Sequence, residues 1–171
     1  MPKPYIHFTE KEFLQRQNKT RQYLQKLGLD GLILFKIEDM YWLTGYESDG
    51  FCIFACMFIG TDGALTHLAR PADLGNISYS SICEDVRISP DGEGSSRAKH
   101  IKDMLESLNM EGKKIGIQVD TMGLTPRLFL EIREALDVWC NLTVAPDFIR
   151  ELRLVKSSQE LIYFRKAGEV M

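Results

Sequence analysis

The run Cys52–Ile59 limits the fold more than any other stretch of the chain. As a strand it sets Cys52, Phe54, Cys56 and Phe58 on one face and Ile53, Ala55, Met57 and Ile59 on the other, because side chains alternate along extended backbone. Both faces are apolar, so a packing layer is needed above the strand and another below it. The run is therefore predicted to be a central strand covered on both sides. Gly60-Thr61-Asp62-Gly63 is dense in turn formers, and Ala64–Leu68 is predicted to return beside it as an antiparallel strand.

The covering layers are legible as helices. Thr9 followed by Glu12 has the spacing of a capping box, with Phe8 and Phe13 at the positions of a hydrophobic staple. Phe13, Leu14, Leu24 and Leu27 mark the inner face of this helix, and Gly28 stops it. Its basic residues, Lys11, Arg16, Lys19, Arg21 and Lys26, read as a solvated face. Gly31–Phe35 is apolar throughout and predicts a second fully buried strand. Asp39 is placed to cap a single helical turn over Met40–Leu43 that Gly45 ends. Arg70-Pro71 starts a short helix to about Tyr79, and Asp85–Ile88 is a short strand. Ser96–Leu108 is amphipathic, with Ala98, Ile101, Leu105 and Leu108 on one stripe. Lys114–Val119 is a strand. Thr125-Pro126 caps a helix that buries Leu128, Phe129, Ile132, Ala135 and Leu136. Leu142–Ala145 is a last strand, and Pro146-Asp147 opens a helical turn or two to Leu152. The expectation is an α/β domain with a mixed sheet of about six strands flanked by helices.

Composition narrows the function classes. A formal charge of -3 on 171 residues does not favour nucleic acid as a partner. No apolar run approaches the roughly 18 residues of a membrane span, and Met1–Tyr5 has no apolar leader core. A cytoplasmic protein with no membrane partner is expected. Cys52, Cys56, Cys83 and Cys140 are scattered without a neighbouring histidine, which predicts free thiols rather than a zinc site.

Tyr41-Trp42-Leu43-Thr44-Gly45-Tyr46 concentrates three aromatics and a hydroxyl in one connection, where binding residues tend to gather. Nothing elsewhere supplies it with catalytic chemistry. His7, His67 and His100 have no carboxylate at ligand spacing, and there is no G-x-S-x-G. Ser157 and Glu160 form a second capping box, followed by Leu161-Ile162-Tyr163-Phe164. A helix this apolar needs cover on more than one side. Residues 1–152 are thus expected to form one domain, and 153–171 a linker and the first helix of another.

The Tyr41–Tyr46 stretch, together with Leu152-Arg153-Leu154-Val155-Lys156-Ser157 and Glu160, Arg165 and Ala167, resembles the N-terminal domain of the creatinase, prolidase and aminopeptidase P family. Asp39-Met40-Tyr41-Trp42, and Tyr46 before a polar turn, are similar to the creatinase and ectoine-hydrolase branches. The resemblance implies a ribonuclease-H-like mixed six-stranded sheet. It also implies a homodimer in which this domain leans over the neighbouring subunit's active site. The implied reaction is hydrolysis of a C–N bond in a small dipeptide or amidino substrate, most simply as an Xaa-Pro dipeptidase. In the peptidase branch, two divalent metals (Mn, Co or Zn) lie in a catalytic domain downstream of this chain. No catalytic residue and no metal ligand is expected here. The residues expected to contact substrate in the partner's site are Tyr46, Asp49, Phe51 and, for a carboxylate, Arg70. Alternatives are a creatinase-like or ectoine-hydrolase-like amidinohydrolase, and a binding or dimerisation module without catalysis.

Overall fold

A computed structural model describes residues 4–170; Met1–Lys3 of the N-terminal segment and the final Met171 lie outside the described residues. Helix α1 spans Glu10–Lys26 and leads into strand β1, Gly31–Leu34, and helix α2, Ile37–Thr44. The hairpin β2, Cys56–Gly60, and β3, Leu65–Ala69, follows. A 3-10 turn at Pro71–Asp73 runs into α3, Leu74–Ser80. Then come β4 (Asp85–Ile88), α4 (Arg97–Ser107), β5 (Lys114–Ile117), α5 (Pro126–Leu136) and β6 (Asn141–Val144). Helices α6, Phe148–Leu154, and α7, Ser158–Val170, close the chain.

The six strands form one mixed sheet in the order β4-β3-β2-β1-β5-β6. Strand β2 is antiparallel to both β1 and β3, whereas β1–β5, β5–β6 and β3–β4 are parallel. All five residues of β2 are buried, as a strand apolar on both faces must be. One face packs Ile33, Phe58 and Ile117 against Ile101, Leu105, Ile132 and Leu136 of α4 and α5. The other packs Leu32, Leu34 and Met57 against α1, α2, α3 and α6 through Leu24, Met40, Leu43, Ile77 and Phe148.

Three details differ from the sequence expectation. Strand β2 begins at Cys56, not Cys52. Its register with β1 ends at Leu34↔Met57, where β1 turns away into α2, so residues 52–55 have no ladder partner on that side. Cys52 and Ile53 belong instead to a turn closed by Ile53 N–H on Gly50 C=O at 2.9 Å, and Phe54 and Ala55 run irregularly into β2. Leu14 points outward at 53 % exposure, while Glu12, Arg16, Gln17 and Thr20 line the inner face of α1 beside Phe13 and Leu24. Helical geometry puts 13, 16, 17, 20 and 24 on one stripe, and the polar members of that stripe have buried partners. Arg16, assigned above to a solvated face, is only 2 % exposed. The Thr9 capping box is half made. Thr9 Oγ1 accepts from Glu12 N–H at 3.3 Å, but Glu12 turns its carboxylate to Arg16. Thr9 N–H is taken by Gln159 of α7 at 3.1 Å. The second box closes both ways between Ser157 and Glu160.

Val138 holds φ 54° after α5 and is fully exposed. A left-handed conformation is costly for a β-branched residue, whereas Asn, as at Asn109 with φ 57°, tolerates it. Val138→Asn is expected to raise the unfolding free energy by about 1 kcal/mol, since strain is relieved and no packing is lost. Chemical denaturation measures this, and an unchanged midpoint removes the strain from the account.

Candidate functional site

Helix α2 and the loop after it carry the aromatic stretch. The helix stops at Gly45, whose φ of 84° is left-handed and whose N–H bonds Tyr41 C=O at 2.7 Å. A Cβ there would meet Ser80 C=O at 2.7 Å, so only glycine fits. The last carbonyls of a helix have no partners within it. Here α1 supplies them: Arg16 Nη1 donates to Trp42 C=O at 3.1 Å and Gln17 Nε2 to Leu43 C=O at 3.0 Å. Those bonds are why polar residues face inward on α1.

The four residues expected at the substrate are placed differently from one another. Tyr46 is buried, its ring edge-on to His67 with centroids 4.5 Å apart, and burial pushes its phenol pKa up. It anchors the loop rather than lining an open surface. Asp49 is exposed at the loop tip. Phe51 is 52 % exposed and forms part of the wall of a groove. Arg70 is clamped by Asp73, with Nε and Nη2 on the two carboxylate oxygens at 2.9 and 2.8 Å, which raises its pKa further. Arg70 and Asp73 both act on the ionisation of Tyr46, whereas Phe51 forms part of the groove wall.

That groove, about 810 Å³, opens beyond the carboxyl ends of β1 and β5. Its walls come from Lys36–Glu38, from Val119–Met122, and from Arg150, Arg153 and Lys156 on the α6 side. Its floor is organised by Asp39, which has no exposure. Asp39 Oδ2 accepts from Gln118 Nε2 at 2.6 Å, and Oδ1 accepts from Arg153 Nη1 at 2.7 Å. Gln118 Oε1 in turn accepts Phe35 N–H and Lys36 N–H at 3.1 and 2.9 Å. Lys36 Nζ pairs with Asp147 at 2.6 Å. Lys156 Nζ donates to Arg153 C=O. Burial raises the Asp39 pKa against the opposing pull of Gln118 and Arg153. The sequence reading gave Asp39 only a capping role; the structure adds the Gln118 and Arg153 bonds, and the cap itself makes no side-chain bond because Lys36 occupies that position. Gln118, expected within a strand, and Arg153 carry no local signal of partnership, lying 79 and 114 residues from Asp39.

Behind the groove, Arg16 stacks over Phe8 at 4.2 Å to the ring centroid, and its Nη2 lies 3.3 Å from Glu160 of α7. Tyr163 Oη donates to His7 C=O at 2.8 Å, and His7 Nε2 lies 2.8 Å from Glu47, so the segment before α1 is tied to α7 and to the loop after α2. Helix α7 still leaves Leu161, Ile162, Tyr163 and Phe164 between 40 % and 59 % exposed. Among the described residues, no helix is long and apolar enough to cross a membrane.

Comparison with known proteins gives a consistent picture. The Creatinase/Prolidase N-terminal domain model matches residues 16–155. An uncharacterized hydrolase/peptidase of Sinorhizobium fredii is 25% identical over 96% of this chain and 44% of its own length. The ectoine hydrolase of Halomonas elongata is 23% identical over 97% of this chain and 43% of its own. The chain thus spans less than half the length of these relatives. Among solved structures, a prolidase from Thermococcus sibiricus superposes with TM-score 0.72 at 22% identity, covering 92% of this chain and 41% of that one. An Xaa-Pro aminopeptidase structure from Streptococcus pyogenes gives 0.66 at 15% identity, covering 84% and 99%. At these identities the structures establish the fold.

Two measurements test the interior of the site. His67 is buried with neither ring nitrogen hydrogen-bonded among the described residues, and burial pushes its pKa down to about 4 from 6.5. The unfolded chain therefore binds the proton more readily. Stability attributable to His67 is full above pH 6.5 and falls as pH drops toward 4, by about 3 kcal/mol in all. Asp39, with its raised pKa, acts in the opposite sense: its unfavourable ionisation in the fold is relieved on acidification. The pH slope of His67→Leu minus that of the parent isolates the histidine, and parallel slopes contradict the assignment. Arg153→Met leaves Asp39 buried without its cation. Because Arg153 is one-third exposed, the expected loss is about 2 kcal/mol rather than the full cost of breaking a buried pair. A loss below about 0.5 kcal/mol in denaturant titration refutes the pairing as a stabilising contact.

Proposed function

Because the chain belongs to the Creatinase/Prolidase N-terminal domain family, we propose that it is the non-catalytic N-terminal domain of a dimeric C–N bond hydrolase, of Xaa-Pro dipeptidase type. Family relatives are hydrolases and peptidases by name. The observation that carries the proposal is the family-model match over residues 16–155, beside relatives more than twice as long as this chain. In this reading the linker and α7 lead into a catalytic domain, which supports a cover for Leu161–Phe164, and the protein works in the cytoplasm.

The domain's own contribution is a wall. Buried Tyr46 anchors a loop that presents Asp49 at its tip and Phe51 at the rim of the groove, and in this reading that rim borders the active site of a second copy. A wall of this kind orients substrate and excludes water. Arg70 serves a carboxylate less readily, since both oxygens of Asp73 already occupy its guanidinium. Among the described residues, no three His, Cys, Asp or Glu side chains come together as metal ligands. In this reading the two divalent ions of the peptidase branch belong to the downstream domain. The likeness to an ectoine hydrolase favours a second reading, in which the substrate is a small cyclic amidine or amidino compound.

The isolated 171 residues are expected to hydrolyse nothing; metal-dependent cleavage of an Xaa-Pro dipeptide by this chain overturns the proposal. In the full-length protein, Phe51→Ala is expected to lower kcat/KM by about tenfold with the Tm unchanged. Assays on Xaa-Pro dipeptides and on ectoine assign the branch, and an unaltered kcat/KM on the active substrate removes Phe51 from the wall.

A further inference from the structure

We infer that the groove beyond β1 and β5 is itself a binding site for a small zwitterion, holding a carboxylate at Arg150 and a cationic group at Asp120. The inference stands on this groove alone and not on the function proposed above.

Topology supplies the place. Strands β1 and β5 are parallel neighbours, but their outgoing connections diverge. The chain leaves β1 for α2, which packs on one face of the sheet, and leaves β5 for α5, which packs on the other. In an open α/β sheet, two parallel strands whose connections part in this way leave a crevice at their carboxyl ends, and ligands bind there. The groove occupies that position, and its volume of about 810 Å³ suits a small molecule.

Charge supplies the ligand class. Four cations line the groove, Lys36, Arg150, Arg153 and Lys156, with two carboxylates, Glu38 and Asp120. Lys36 is spent on Asp147 and Arg153 on Asp39. Arg150, on α6, pairs with no carboxylate among the described residues, and Lys156 donates only to Arg153 C=O. Asp120 follows β5, and Glu38 stands in the first turn of α2, where it also borders Lys156. Two positive and two negative groups repel a phosphate or a polyanion about as much as they attract it, but they match a molecule with one charge of each sign. Phe51, Met122 and Leu154 add apolar wall for the body of such a molecule.

The test is titration of the 15N-labelled 171-residue chain with the dipeptide Leu-Ala, and with its N-acetylated, C-amidated and doubly blocked forms, followed by amide shifts. The free dipeptide is expected to shift Lys36–Glu38 and Val119–Met122, and each single block to weaken binding tenfold or more. Arg150→Gln should abolish the penalty of C-amidation while leaving that of N-acetylation, and Asp120→Asn the reverse. Both residues are exposed, so neither change threatens the fold. Shifts located elsewhere, no shift at 10-fold excess over millimolar protein, or equal binding of the doubly blocked peptide each overturn the inference.

Discussion

The buried carboxylate of Asp39 is the constraint on which the site depends. An ionised group without solvent contact persists only with compensation. Asp39 obtains it from Gln118 at the end of β5 and from Arg153 at the end of α6. Gln118 also satisfies two backbone N–H groups where β1 ends. One carboxylate therefore fixes the exit of β1, the exit of β5, the start of α2 and the departure of the linker. These are the walls of the groove, so its shape follows from satisfying a single charge.

Arg16 performs a similar function on the other side of α2. Its guanidinium bonds the Trp42 carbonyl, receives Glu12 and Glu160, and lies over Phe8. Arg153 and Arg16 thus grip α2 from its two ends, and both also touch the segment leading into or forming α7. The aromatic stretch is held rigid so that the loop beyond Gly45 can project. Tyr46 ends the rigid part by packing against His67, and Phe51 stands out from the free part.

Most of the fold was legible in the sequence because its signals are local. Thr125-Pro126, Ser96 and Ser157 with Glu160 mark helix starts through bonds spanning three residues. The doubly apolar β2 required layers on both sides, and it has them. The misreadings share one cause: residues 52–55 look like strand, but a strand exists only where a neighbour pairs with it, and β1 has already turned away. Likewise Arg16 looks solvated by type, but the unpaired carbonyls of α2 draw it inward. Of the candidate site, Phe51 and Tyr46 were named from their chemistry as substrate contacts, but that Tyr46 is buried against His67 is a matter of packing. The neutralisation of Arg70 by Asp73 could not be separated from an available cation without knowing the rotamers.

By itself the sequence determined the α/β class, the order of elements and the family resemblance, since periodicity, caps and motif wording are carried by neighbouring residues. Only the tertiary structure decided that Asp39 meets Gln118 and Arg153, that Arg70 is occupied, and that β1 and β5 part to leave a crevice. Arg70 and Asp73 are only three residues apart, and their pairing turns on side-chain rotamers; the other two outcomes depend on contacts across some eighty to more than a hundred residues of chain. Such contacts are set by how layers pack and how buried charges find partners, and no local pattern encodes them.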